Sequence, residues 1–152
     1  MAIKTARRIA AGIFLTLPLT LWAQVAQPIA GSVKKVTGNV VLRRSGASVR
    51  ATEGMHILPH DVLETPADGS VGIILQDGTR VAMGPNTTLE IDRFVYEPSE
   101  GKLGLLLRLV RGVMVYVSGK IAQFSADSVR VETPVGVVGL RGTEVAISLE
   151  GQ

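Results

Sequence analysis

Turn-forming residues divide the chain beyond Gln24 into apolar runs too short for ordinary helices, and this spacing constrains the fold more than any other feature. Gly31, Gly38, Ser45-Gly46, Gly54, Pro59, Asp68-Gly69, Asp77-Gly78, Gly84-Pro85-Asn86, Gly101, Gly112, Gly119, Pro134, Gly139 and Gly142 follow one another at brief intervals. Between them the chain is rich in β-branched residues: 20 Val, 7 Ile and 8 Thr make up 35 of the 129 residues from Gln24 onward. Such side chains lose little on a pleated surface and more in a helix. The expectation is an all-β protein, a single domain of many short strands with no long helix.

The clearest local pattern is Val71-Gly72-Ile73-Ile74-Leu75-Gln76, then Asp77-Gly78, then Thr79-Arg80-Val81-Ala82-Met83. Asp-Gly tolerates the positive φ of a two-residue turn, so these runs read as a hairpin. Ile73-Ile74-Leu75 is apolar on both strand faces, which suits stacked coils or a closed barrel better than a sheet with one solvated side. Leu103 to Val117 is ambiguous. Leu103, Leu106, Leu107 and Val110 recur at helical spacing, yet Gly104 and Gly112 interrupt the run and Val113-Met114-Val115-Tyr116-Val117 favours strand. Two strands meeting near Arg111-Gly112 are expected.

Residues 1–23 have the form of a secretory signal peptide. Lys4, Arg7 and Arg8 precede the apolar stretch from Ile9 to Trp22, and Ala23 offers a small residue for cleavage. The alternative is an uncleaved inner-membrane anchor, but 14 residues containing Gly12 and Pro18 fall short of the ~20 that span hydrocarbon. Residues 24–152 would then form the exported domain. The whole chain has 16 Lys and Arg against 13 Asp and Glu, a net charge of +3. Removing Lys4, Arg7 and Arg8 leaves 13 against 13, so the excess positive charge belongs to the leader and is no sign of nucleic-acid binding.

The sequence offers catalysis little. Cysteine is absent, which excludes thiol nucleophiles, disulfides and Cys-based metal sites. His56 and His60 are four apart, but Pro59 lies between them and no patterned companion ligands follow, so no metal and no cofactor is expected. Glu90 and Asp92 share one strand face at i and i+2, most simply as a solvated acidic pair. No serine lies in a nucleophile elbow.

Read in order, several fragments resemble the FecR domain family, named for the periplasmic part of the ferric-citrate signal transducers. They are Val36-Thr37-Gly38-Asn39-Val40, Glu53-Gly54, Asp61-Val62, Thr65, Asp77-Gly78-Thr79-Arg80-Val81, Pro85-Asn86-Thr87-Thr88-Leu89 and Phe94-Val95-Tyr96-Glu97-Pro98. The most specific is Val131-Glu132-Thr133-Pro134-Val135-Gly136-Val137-Val138-Gly139-Leu140-Arg141-Gly142-Thr143-Glu144-Val145, which looks like the family's Thr-Pro strand entry followed by Arg-Gly-Thr. His60 stands where many members carry Gly.

The resemblance implies a β-solenoid-like module of stacked coils, periplasmic, non-enzymatic and engaged in signal transduction through protein contact. Its motif residues Asp77, Gly78, Thr79, Thr133, Pro134, Arg141, Gly142 and Thr143 are expected to be structural first and docking residues second. Arg141 would cap carbonyls or pair with a carboxylate inside the fold, and Gly142 would refuse a Cβ. Eight residues precede the apolar stretch, so the family's cytoplasmic anti-sigma region is missing and no direct sigma-factor contact is expected. The expected partner is an envelope receptor or sensor, with no nucleic acid and no stable membrane span after cleavage. The chain stops soon after the Arg-Gly-Thr strand, as a minimal version or one whose last coil a partner caps. The alternative is a periplasmic ligand- or glycan-binding module, which four aromatics after Trp22 make the weaker reading.

Overall fold

The computed structural model describes residues 28–142 and 144–149. The proposed leader and Thr143 lie outside the described residues. Twelve strands form one continuous sheet: β1 (Gly31–Thr37), β2 (Val41–Arg44), β3 (Ala47–Arg50), β4 (His56–Ile57), β5 (Val62–Glu64), β6 (Ser70–Leu75), β7 (Arg80–Met83), β8 (Thr88–Glu97), β9 (Lys102–Val117), β10 (Val129–Thr133), β11 (Gly136–Gly139) and β12 (Glu144–Leu149). One short helix, α1 (Lys120–Phe124), follows β9.

The hydrogen-bonded order is β3-β2-β5-β8-β9-β7-β6-β1-β4, with β10 and β12 also on β9 and β11 on β10. The sheet is antiparallel except where β10 lies parallel to β9. It is therefore not the expected solenoid. Stacked coils need successive turns that carry the chain onward to a parallel neighbour, whereas turns such as Asp77-Gly78 reverse it into an antiparallel one. The strands instead form a curled, open sheet whose concave side holds the core.

The central strand β9 produces the curl. Its first part pairs with β8 and β10, and its second with β7 and β12. The two parts meet at Gly112, whose φ is +91°. The expectation of two strands meeting there holds for the pairing but not for the chain, which continues through the bend as one 16-residue strand. A Cβ on Gly112 would lie 2.3 Å from Thr87 Oγ1 and 2.5 Å from Thr87 Cα, so positive φ and close approach both require glycine.

A threonine pair secures this corner. Thr87 Oγ1 accepts from the Val113 amide at 3.0 Å, while Thr65 Oγ1 donates to Gly84 O at 2.6 Å and accepts from the Thr87 amide at 2.9 Å. Both threonines are buried, and their hydroxyls satisfy backbone groups that the bend removes from the ladder. Inside the curl, Leu63, Leu89, Ile91, Leu107, Leu109 and Met114 are fully buried.

The outward faces of the two halves differ. Across β2, β5, β8, β9 and β10 the outer positions are largely polar, including Arg43, Glu90, Arg108 and Glu132 in register. Across β6, β7 and the second part of β9 they include Gly72, Ile74, Ala82, Val115 and Val117. Ile73-Ile74-Leu75 is thus apolar on both faces because Ile74 joins this outer aliphatic surface. Lys34 and Lys35 are both exposed, because a β-bulge between Val33 and Lys35 breaks strict alternation.

Candidate functional site

Asp77, Gly78 and Thr79 form a buried node at the β6–β7 turn. The hairpin places Ile74 opposite Arg80, and Gly78 takes φ +85°. Asp77 Oδ1 accepts from the Thr79 amide at 3.0 Å; its Oδ2 accepts from Thr79 Oγ1 at 2.8 Å and from the Ile121 amide at 3.2 Å. The Lys120 amide donates to the Asp77 carbonyl at 2.8 Å. One aspartate thus ties the turn to the start of α1, which is distant in sequence.

Gly119 lets the two segments approach, since a Cβ there would stand 2.3 Å from the Thr79 nitrogen and 2.6 Å from Asp77 Oδ2. Nearby, the buried Tyr116 hydroxyl makes no hydrogen bond among the described residues. Burial pushes its pKa up, against weaker lowering contributions from Thr79 and Ser118 and with a further upward push from Asp77. Asp77 and Thr79 are 1% and 0% exposed. This node is sealed inside the fold and organises the backbone.

A second cluster lies on the polar outer face. Arg108 reaches Glu90 at 3.1 Å, Asp92 at 3.4 Å and Glu132 at 3.3 Å, joining β8, β9 and β10. Its pKa is raised, chiefly by the charge of Asp92, then by the hydrogen bond to Glu132 and the charge of Glu90. Glu90 and Asp92 do share one face, as their spacing indicates, but they are held by an arginine in mid-sheet instead of lying loose in water.

His60 Nδ1 stands 3.8 Å from Asp92 Oδ1, and His60, Glu90 and Asp92 offer ligand atoms within 4.8 Å of one another. These three could hold a metal ion, but the Arg108 guanidinium already supplies a cation to the same carboxylates. His56 lies apart on the short strand β4. His60 adopts φ +70°, a left-handed turn conformation uncommon for a residue other than glycine.

The Arg44–Asp61 pair had no sequence signal beyond the residues themselves. Arg44 Nε and an Nη approach the two Asp61 oxygens at 2.8 and 2.6 Å, and Asp61 also accepts from the Leu58 amide. The hydrogen bond to Asp61 is the largest cause raising the Arg44 pKa. Only long-range pairing of β2 with β5 brings them together.

Thr133 and Pro134 close the β10–β11 hairpin and do not begin a strand. Thr133 Oγ1 donates to Gly136 O at 2.9 Å and accepts from the Val135 amide at 3.3 Å. Arg141 departs from the expectation of an internal cap. It pairs with Asp127 at 3.3 Å on the surface, with side chains 81% and 83% exposed. Gly142 has room for a Cβ, the nearest atom being Val145 Cγ2 at 4.0 Å. The edge strand β11 also exposes Val137, and the turn before it exposes Val135.

Among the described residues, no helix is long and apolar enough to cross a membrane. A family model described as FecR protein matches residues 61–152. Comparisons with curated proteins and with solved structures find no match.

Proposed function

The chain belongs to the FecR protein family, and on that premise we propose that it is an exported, non-enzymatic interaction module of the bacterial envelope. The FecR domain is associated with envelope signal transduction. In this reading residues 1–23 direct secretion, residues 24–152 act in the periplasm, and the partner is an envelope receptor or sensor. In this reading the module makes no direct contact with a sigma factor. Its signal passes through that partner.

The observation that carries this reading is the division of labour among the family-motif residues. Asp77 and Thr79 are consumed by internal hydrogen bonds. Arg141 and the β11 edge, by contrast, face solvent with little role in the core. An edge strand that has one strand neighbour among the described residues and exposes valines is suited to protein contact. Fractionation of cells, with mass spectrometry of the exported chain, tests location: the expected N-terminus is Gln24. Capture of an envelope protein by the wild-type chain, with loss in Arg141→Ala and Val137→Lys variants of unchanged melting temperature, supports the docking role. Equal capture by all three contradicts it.

A further inference from the structure

We propose that the outer face formed by β7, the second part of β9 and β12, aliphatic along β9 and charged at its flanks, binds a second copy of this chain through a two-fold axis running along β9. The pattern on either side of β9 is self-complementary. In register, Arg80 on β7 and Glu144 on β12 both lie opposite Val117, one on each side. One row further along, Ala82 and Ala146 flank Val115 in the same way. Arg80, Ala82, Glu144 and Ala146 are exposed, and Val115 and Val117 are half-buried.

A two-fold axis parallel to β9 exchanges left and right. It lays β7 of one copy over β12 of the other, so each Arg80 faces the other copy's Glu144. The small residues Ala82 and Ala146 cover each other across the same axis, and the central valines meet. Strands of the two copies then run aligned, as in a face-packed sandwich with sheets ~10 Å apart. An isologous contact of this kind requires one patch to complement itself, which opposite charges at equal offsets from a central strand provide.

Neither Arg80 nor Glu144 makes an ion pair among the described residues, so both charges are available to a second copy. A groove of about 400 Å³ borders this face on its β6 side, where Arg80 and Lys34 line it together with Gly72, Ile74, Ala82 and Val117. Three strands at ~4.8 Å spacing and about five residues at ~3.3 Å rise give a footprint of roughly 14 by 17 Å. That is well below the ~800 Å² per partner of a standard interface, so association is weak and concentration-dependent.

Sedimentation of the purified chain over a range of concentrations tests this, with circular dichroism checking that each variant folds. The wild type is expected to shift toward twice the monomer mass as concentration rises, with weaker association at high salt. Arg80→Glu and Glu144→Arg each weaken association at least about tenfold by setting like charges together. The double variant restores it, and Ala82→Arg abolishes it without lowering the melting temperature. A wild type that stays monomeric throughout overturns the proposal. So does a dimer indifferent to Ala82→Arg, or one that the double charge exchange fails to restore. The proposal is independent of the envelope partner, and loss of partner capture leaves its result unchanged.

Discussion

Replacing Asp77 with alanine removes the one acceptor shared by the β6–β7 turn and α1. Three donors lose their partner: the Thr79 amide, the Thr79 hydroxyl and the Ile121 amide. Each buried donor left unsatisfied costs ~1–3 kcal/mol, and some of that is recovered by relaxation and water entry, so the expected loss is roughly 3–5 kcal/mol. A domain of this size has ~5–15 kcal/mol in total, and each kcal/mol lowers the melting temperature by ~2–4 °C, so a fall of roughly 10 °C is expected. Asp77→Asn keeps one acceptor oxygen but turns an NH₂ toward the Ile121 amide, which places its cost between wild type and alanine. Urea unfolding followed by far-ultraviolet circular dichroism reads both variants. If Asp77→Ala unfolds within about 0.5 kcal/mol of wild type, the node is not what joins the turn to the helix.

Gly112→Ala forces a Cβ into positive φ and against the Thr87 backbone, and an expected loss of more than about 3 kcal/mol is measurable by the same unfolding experiment. Arg141→Lys leaves the melting temperature within about 2 °C, because an exposed pair with Asp127 contributes little; a larger fall would restore an internal role for Arg141. Elemental analysis of the untagged chain is expected to find no stoichiometric zinc while Arg108 occupies the carboxylates beside His60. One zinc per chain, lost in His60→Ala, would contradict that.

The turn spacing and β-branched composition were enough for the all-β class, and Asp77-Gly78 located its hairpin directly. Those signals are local, since a two-residue turn and its flanking alternation lie within a few residues. The solenoid expectation came with the family resemblance and failed because neither its motifs nor runs of short strands distinguish parallel stacking from antiparallel reversal; that choice rests on pairing across the chain. Gly112 marked the junction of two ladders, but the threonines that accept its bend lie far away in sequence at Thr65 and Thr87. For the same reason neither the Arg44–Asp61 pair nor the grip of Arg108 on Glu90, Asp92 and Glu132 was legible. Arg141 illustrates the converse error: a motif suggests importance but carries no information about burial.

Site-specific photo-crosslinking in living cells tests the envelope-module account most directly. A photoreactive residue at Val137, on the exposed β11 edge, is compared with one at Ser48, on the exposed edge strand β3. The account predicts that the chain fractionates with the periplasm and that Val137 yields a discrete product with one envelope protein, which Ser48 does not. A chain retained in the cytoplasm, or one that is exported and folded but yields no product from Val137, would contradict it.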